Sequence, residues 1–272
     1  MIQLVACDLD GTLMGEDRQI SPRVRRAIAA VQERDIIVTL ATGRMFNATL
    51  PFARELGLTA PLLSYQGGWI QGLADTQPLY RVPLPAEIAR GALEMAQREQ
   101  WHAVLYADGQ IFLREFARPP EFYLALLGTD YQLVTSWEKV LASQQPDKVL
   151  FVATPEEIPA MEEQLRAQLD GEALVFRSHA QFVEVVPQGV DKGSGLAWLT
   201  QHLHIPPSAV MAVGDQGNDT PMLKWAGIGV AMGNAVPEVK AVADWIAPTL
   251  AEDGAAVALE HFILSREQSP QQ

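Results

Sequence analysis

The chain opens on a short apolar run that ends in two aspartates, Ile2-Gln3-Leu4-Val5-Ala6-Cys7-Asp8-Leu9-Asp10-Gly11-Thr12. Side chains on a strand alternate between its faces, so Asp8 and Asp10 point the same way if strand geometry persists. Gly11 permits a sharp turn after them. Two converging carboxylates repel each other unless a cation or a shared proton intervenes. The stretch therefore suits a Mg²⁺ site in which one carboxylate attacks phosphorus, and an ordinary strand ending in an acidic turn is the alternative.

Three further polar segments lie just after predicted strands or at the start of a predicted helix. They are Thr39-Leu40-Ala41-Thr42-Gly43-Arg44, Gly189-Val190-Asp191-Lys192-Gly193 and Gly214-Asp215-Gln216-Gly217-Asn218-Asp219. Parallel sheets bind ligands beyond the carboxyl ends of their strands, where helix N-termini also point. The four segments are therefore expected to meet in one pocket.

Together, and in this order, the four segments resemble the motifs of the haloacid dehalogenase-like (HAD) phosphohydrolases. The long stretch between the second and third resembles the large cap of the Cof-type branch, and the resemblance covers essentially the whole chain. It implies an α/β fold, with a doubly wound, Rossmann-like parallel-sheet core and an inserted α+β cap domain. It also implies a Mg²⁺-dependent phosphatase that hydrolyses a small phosphorylated metabolite, such as a sugar phosphate, through an aspartyl-phosphate intermediate.

The carboxylates divide into those that react and those that hold the metal. Asp8 is expected to be the nucleophile and, with Asp215, to supply carboxylates to Mg²⁺. Asp10 is expected to protonate the leaving alcohol and then to activate water, and the resemblance implies that its backbone carbonyl is a further metal ligand. Asp219, also assigned to the metal site, would orient metal-bound waters together with Asn218. An N-cap for the helix near Pro221 is the alternative for Asp219.

Five positions are assigned to substrate binding, Thr42, Gly43, Arg44, Lys192 and Asn218, and Thr42 and Lys192 are also assigned to catalysis on the phosphoryl group. The hydroxyl of Thr42 and the amide of Gly43 would donate to its oxygens, and a helix cap is the alternative for Thr42. Lys192 would neutralise the transferring group and hold Asp8 in place, whereas a surface lysine at a helix start is its alternative. Arg44 either anchors substrate or forms an ion pair that supports its loop.

Two turns are expected to lie beside this machinery. Gly233-Asn234-Ala235 is interpreted as structural support for the loop near the metal. Gln66-Gly67 stands where many HAD relatives carry Asn-Gly, so substrate contacts are not assigned there.

Composition and charge limit the possible partners. The chain has 272 residues, of which 48% are hydrophobic and 19% charged, and a formal net charge of −13. Nucleic acid and anionic membrane call for a basic surface, so neither is expected as a partner. A small phosphorylated metabolite remains compatible, since a local lysine, metal and amides can override the global field. No obligate protein partner is evident, and the absence of a secretory signal predicts a cytoplasmic protein.

The order of elements predicts a core interrupted by an insert. Helices alternate with strands in the first 83 residues, which favours a parallel sheet. After Pro83-Leu84-Pro85 the pattern changes to an α+β insert, in which Asp108-Gly109 indicates a hairpin and 119–127 is predicted as helix or loop. We therefore expect a catalytic core of 1–83 and 187–272 and a cap of 84–186.

The cap is expected to select the substrate. Four of its residues are polar or aromatic candidates for this role, each with a structural alternative: Trp101, Lys148, His179 and Glu184. The alternative for Lys148 is a charge on a strand edge. Two other functions stay open at this point, a phosphosugar mutase of the same superfamily and a non-catalytic phosphometabolite-binding protein.

Overall fold

The structure is a computed structural model that describes residues 1–115, 119 and 130–265. The predicted helix or loop of 119–127 lies, apart from residue 119, outside the described residues. No helix among the described residues is long and apolar enough to cross a membrane.

The backbone divides into two compact units. The first comprises 1–42, 49–79 and the described residues from 191 onward, and the second comprises 43–48 and the described residues of 80–190. The predicted insert, 84–186, falls inside the second unit. The segment 43–48 also belongs to that unit, although it lies far from it in the chain.

The strands are short and are numbered here in chain order. Those of the described residues are β1 (Leu4–Cys7), β2 (Ile37–Leu40), β3 (Leu62–Ser64), β4 (Trp69–Gln71), β5 (Tyr80–Arg81), β6 (His102–Ala107), β7 (Gln110–Leu113), β8 (Gln132–Leu133), β9 (Pro146–Val152), β10 (Ala173–His179), β11 (Phe182–Pro187), β12 (Val210–Gly214), β13 (Ile228–Ala231) and β14 (Trp245–Ile246).

The α-helices within the same residues alternate with the strands in the first part of the chain, as the sequence predicts. They are α1 (Pro22–Gln32), α2 (Phe46–Glu55), α3 (Ala86–Glu99), α4 (Trp137–Leu141), α5 (Ile158–Gln168), α6 (Lys192–His202), α7 (Thr220–Trp225), α8 (Pro237–Lys240) and α9 (Gly254–Leu259). Ser21 caps α1: its side chain accepts a hydrogen bond from the amide of Val24, and Pro22 occupies the first helical position.

The first unit contains a parallel sheet with strand order β14-β13-β12-β1-β2, which confirms the predicted α/β core. Strand β1 lies between β12 and β2 and is completely buried, as an apolar central strand of a parallel sheet should be. The carboxyl ends of these three strands are therefore adjacent. Asp8, Asp215 and the segment leading to Thr42 follow them directly.

The second unit contains a mixed sheet with strand order β10-β11-β9-β6-β7-β8, which is antiparallel except where β7 pairs with β8. The predicted hairpin is confirmed, because Asp108 (φ 46°) and Gly109 (φ 68°) form the left-handed turn between β6 and β7. Lys148 lies on β9, in the interior of this sheet, and is 3% exposed. The strand-edge interpretation of Lys148 is therefore wrong.

Candidate active site

The turn after β1 brings its polar groups against the turn after β12. The amide of Asp8 donates to the carbonyl of Val213 (2.9 Å), and the hydroxyl of Thr12 donates to Oδ1 of Asp215 (3.1 Å). Gly11 has a φ of +86°, and a Cβ at this position would collide with the Asp215 carboxylate. A glycine is thus required both by the backbone conformation and by the approach of Asp215.

The two aspartates of this turn differ in exposure. The strand ends at Cys7, before both of them, and Asp8 is buried whereas Asp10 is exposed. Asp10 is near enough for its charge to raise the pKa of Asp8, although burial and Asp219 have larger effects. The arrangement gives Asp8 a buried position and Asp10 access to solvent.

Helix α6 delivers Lys192 into the interior. Asp191 caps the helix by accepting from the amide of Ser194 (2.7 Å), while the Ser194 hydroxyl accepts from the Asp191 amide (3.0 Å). Nζ of Lys192 then lies 2.6 Å from Oδ1 of Asp8 and 2.5 Å from Oδ1 of Asp219. Lys192 has no exposed surface, so the surface-lysine alternative is wrong.

The side chain of Asp219 forms hydrogen bonds within its own loop. Its Oδ2 accepts hydrogen bonds from the amides of Asp215 (2.8 Å) and Gln216 (2.9 Å), and the Gln216 side chain donates to Oδ2 of Asp215 (3.0 Å). Asp219 stands at the N-cap position of α7, but its side chain accepts no capping hydrogen bond from this helix, so a role as helix cap alone is wrong. With its Oδ1 on Lys192, the carboxylate shapes the loop that presents Asp215.

Three buried carboxylates could hold a metal ion. Asp8, Asp215 and Asp219 each offer an oxygen, and these oxygens all lie within 4.8 Å of one another. Lys192 is the ammonium that contacts two of them, so one buried cation faces three potential anions. Oxygen donors at this spacing suit Mg²⁺, which therefore fits the residues present. The contribution of the Asp10 carbonyl stays a prediction.

Burial is the largest single influence on the pKa of each of these groups. It raises the pKa of Asp8 well above its usual range, repulsion from Asp219 adds to this, and Lys192 opposes it. Burial also raises the pKa of Asp215, to about 6, with a further contribution from Asp219. Burial lowers the pKa of Lys192, but Asp219 and Asp8 outweigh burial and keep the ammonium charged. A divalent cation would favour the ionised carboxylates that this environment otherwise penalises.

Thr42 is fixed by a turn that the sequence did not mark as functional. The Thr42 amide donates to the carbonyl of Leu63 (2.9 Å), and its own carbonyl accepts from the amide of Gln66 (3.0 Å). Oε1 of Gln66 accepts from Nδ2 of Asn218 (3.0 Å). Gln66 therefore links two predicted site residues, Thr42 and Asn218, through contacts that the sequence did not reveal.

This turn has an unusual backbone. Tyr65 (φ 49°), Gln66 (φ 60°) and Gly67 (φ 93°) are consecutive residues in the left-handed region, which non-glycine residues rarely adopt. A Cβ at Gly67 would collide with the carbonyl of Asp191, so the turn packs directly on the start of α6. The strained turn thus contacts the elements that carry Thr42, Lys192 and Asn218. Such strain persists where the surroundings enforce it, which is common at functional sites.

The side-chain oxygen of Asn218 is a buried hydrogen-bond acceptor. Its Nδ2 is bound to Gln66, and its Oδ1 is buried with no hydrogen-bond donor among the described residues. A buried acceptor of this kind calls for a donor such as water. This fits the predicted role of Asn218 toward metal-bound water.

Asn234 supports the Asp8 turn, as its motif predicts. Its Nδ2 donates to the carbonyl of Gly11 (2.9 Å), and its Oδ1 accepts from the amide of Leu250 (2.8 Å). The structural interpretation of the Gly-Asn-Ala turn is confirmed.

Gly43 and Arg44 belong to the second unit. There the Gly43 carbonyl accepts a hydrogen bond from Nζ of Lys148 (2.9 Å). Burial raises the pKa of Tyr106, and the nearby, half-buried Arg44 lowers that pKa by a smaller amount. Their predicted contacts with substrate stay predictions.

Comparison with known proteins identifies relatives along nearly the whole chain. A family of haloacid dehalogenase-like hydrolases matches residues 5–259. An HMP-PP phosphatase of Serratia proteamaculans is 34% identical over 249 residues, which cover 89% of this chain and 88% of that protein. The 5-amino-6-(5-phospho-D-ribitylamino)uracil phosphatase YitU of Bacillus subtilis is 27% identical over 265 residues, covering 95% and 97%.

Solved structures agree with this relationship. The crystal structure of a haloacid dehalogenase-like hydrolase from Bacteroides thetaiotaomicron superposes with a TM-score of 0.86 at 33% identity, and the match covers 96% of this chain and 99% of that one. The motifs, the parallel core with its inserted mixed sheet and the family match agree. The chain belongs to the haloacid dehalogenase-like hydrolases, and its predicted place among their Cof-type phosphatases is confirmed.

Proposed function

We propose that this protein is a Mg²⁺-dependent phosphatase that hydrolyses a small phosphorylated metabolite through a phosphoryl group carried on Asp8. The observation that carries this proposal is the buried contact of Asp8 with Lys192, next to the carboxylates of Asp215 and Asp219. A binding protein for phosphate needs positive charge and donors, whereas this site surrounds its lysine with carboxylates. A carboxylate that attacks phosphorus explains why the site buries several negative charges.

In the first half-reaction, an oxygen of Asp8 bonds to phosphorus and the bond from phosphorus to the ester oxygen breaks. Asp10 donates its proton to the departing alcohol, which its exposed position allows. In the second, Asp10 takes a proton from water, the water oxygen bonds to phosphorus, and the carboxylate of Asp8 departs. Asp10 therefore ends each cycle protonated, as it began, with a proton taken from water.

The other residues bind and orient. Lys192 balances negative charge on Asp8 and on the phosphoryl group, and Thr42 donates its hydroxyl to a phosphoryl oxygen. Asp8, Asp215 and the Asp10 carbonyl would hold Mg²⁺, while Asp219 and Asn218 would orient its waters. The bound ion would supply charge neutralisation for a reaction between two anions.

The substrate class follows from the relatives and from the insert. The two relatives are phosphatases of different phosphorylated compounds, HMP-PP and a phosphoribitylamino-uracil. We propose that this protein likewise acts on a small phosphorylated metabolite, with sugar phosphates included, and that the insert recognises the leaving alcohol and excludes water. We also propose a cytoplasmic location, which suits a metabolite substrate and the one free, buried thiol of Cys7.

The direct test is a screen of phosphorylated metabolites in the presence of Mg²⁺, with phosphate release as the readout. The panel should contain sugar phosphates, nucleotides and the substrates named for the two relatives. Phosphate release from at least one compound, lost in Asp8→Asn, is the expected result. Isomerised sugar phosphate with little free phosphate would indicate a mutase instead. Tight binding without any turnover would indicate a binding protein.

A further inference from the structure

Lys148 is a buried charge that the proposed chemistry does not use. It lies on β9 between β11 and β6, and its ammonium pairs with Oε2 of Glu184 at 2.7 Å. The side chains of Lys148 and Glu184 are only 4% and 5% exposed. Burying an ion pair is costly, and apolar residues of similar size are often as stable or more so. The burial of this pair therefore points to a role beyond stability.

Lys148, Glu184 and Tyr106 form a polar patch on one face of the sheet of the second unit. Lys148 pairs with Tyr106 across β9 and β6, and its Nζ lies 4.7 Å from the centre of the Tyr106 ring. Glu184 pairs with Leu150, two positions from Lys148, so it projects from the same face. The intervening Val149 belongs to the apolar cluster on the opposite face.

The third contact of Lys148 is with the segment 43–48. Its Nζ donates to the carbonyl of Gly43 at 2.9 Å, so the ammonium joins this backbone to the buried Glu184. Gly43 directly follows Thr42, whose hydroxyl is assigned to the phosphoryl group. A glycine has more backbone freedom than any other residue, and a hydrogen bond to its carbonyl restricts that freedom. The peptide between Gly43 and Arg44 is thereby held in place, directly after the Gly43 amide that is assigned to the phosphoryl group.

We propose that Lys148, held by Glu184, is a positioning residue that fixes Gly43 and, through it, the phosphate-binding end of the Thr42-Gly43-Arg44 segment. This inference rests on the proposed function, because it assigns phosphate binding to Thr42 and Gly43. Its consequence is specific. Loss of Lys148 weakens binding of the phosphate group itself, to the same degree for every substrate, even though Lys148 lies in the unit expected to select the alcohol.

The test compares Lys148→Met, the double variant Lys148→Met/Glu184→Leu, and the control Lys139→Met, which removes an exposed lysine of the same unit. The single variant leaves the Glu184 charge buried and can destabilise the protein, so the double variant, which removes both charges, carries the test if that happens. Thermal melting establishes that each protein is folded. Binding of inorganic phosphate is measured by calorimetry, and kcat and KM are measured for three phosphate esters with different alcohols.

We expect the double variant to bind phosphate about tenfold more weakly than the wild type, since a charge-assisted hydrogen bond is lost. We expect kcat/KM to fall by a similar factor for all three esters and the Lys139 variant to be unchanged. Phosphate affinity within twofold of the wild type in a folded double variant would overturn the proposal. So would a loss confined to certain esters, which would assign Lys148 to recognition of the alcohol.

Failure of the proposed function gives a different result. If the wild type hydrolyses no ester but binds phosphate, the proposed function fails and the calorimetric comparison still decides the role of Lys148. If the wild type binds no phosphate, both proposals are overturned.

Discussion

Nζ of Lys192 lies 2.6 Å from Oδ1 of Asp8, although 184 positions separate these residues in the chain. The contact exists because β1 ends just before Asp8 and α6 begins at Lys192, and both side chains are buried there. Lys192 also contacts Asp219, so a single ammonium joins the first motif to the last. Catalysis and stability should therefore both depend on it.

Replacing Lys192 by Met should reduce activity and stability together. The change leaves Asp8 and Asp219 buried without their shared cation, which should lower the free energy of unfolding by roughly 3 kcal/mol in the absence of metal. Activity should fall about 100-fold or more on every substrate, because all present the same phosphoryl group. Denaturant unfolding and steady-state kinetics measure the two effects, with the exposed Lys224→Met as the control. Near-normal kinetics in Lys192→Met would contradict the role assigned to this lysine.

Removal of metal should stop the reaction. Excess EDTA should abolish activity, and Mg²⁺ should restore it. Ca²⁺ should bind yet inhibit, because its larger and looser coordination shell misplaces the attacking carboxylate. Asp215→Ala should raise the Mg²⁺ concentration needed for half-activation about tenfold or more, whereas the exposed Asp170→Ala should not. Full activity in excess EDTA, with the absence of metal verified, would rule out the metal-dependent mechanism.

Gln66 and Asn218 should behave as a coupled pair. Gln66→Leu removes the acceptor that fixes the Asn218 amide and should lower kcat/KM about fivefold. Asn218→Leu should lower it further than this when made alone. Adding Gln66→Leu to Asn218→Leu should then lower kcat/KM only slightly further. In a double-mutant cycle this corresponds to a coupling energy of about 1 kcal/mol. Strictly additive losses would show that the hydrogen bond between the two side chains has no functional role.

Asp147 should make stability depend on pH. Burial raises its pKa to about 6 despite hydrogen bonds from Arg81 and Gly109. Because the unfolded value is about 3.9, the native state holds the proton more tightly, and the contribution of Asp147 to stability falls as pH rises from about 4 to about 6. The free energy of unfolding of the wild type minus that of Asp147→Asn should therefore fall over this range, by up to roughly 3 kcal/mol.

Denaturant unfolding at several pH values between 4 and 7 measures this difference. The exposed Asp170→Asn should show no such trend relative to the wild type. A difference that rises with pH for Asp147→Asn would mean that the pairing with Arg81 outweighs burial.

The sequence was sufficient to predict the centre of the site because it follows from sheet geometry. Asp8, Thr42 and Asp215 each follow a recognisable apolar strand, and Lys192 opens a helix behind a capping aspartate. Parallel strands bring such positions to one edge whatever the details of packing. The family and the α/β fold are confirmed, whereas the individual catalytic roles stay predictions.

The supporting contacts could not be predicted, because they depend on distances that no local pattern encodes. Gln66 meets Asn218 across 152 positions, and only through a left-handed turn at two non-glycine residues. The alternative of a strand-edge charge for Lys148 arose because the sequence does not show the order in which the strands of the insert pair. The grouping of 43–48 with the second unit likewise depends on tertiary contacts.

The most direct test of the central claim uses Asp10→Asn with p-nitrophenyl phosphate. This leaving group needs little protonation, so the first half-reaction should proceed while the second, which needs Asp10 as a base, should stall. We predict a burst of nitrophenol of about one per enzyme, with the phosphoryl group found on Asp8 by mass spectrometry of the rapidly quenched protein. Release of phosphate without attachment to Asp8, or undiminished turnover in Asp8→Asn, would contradict the account.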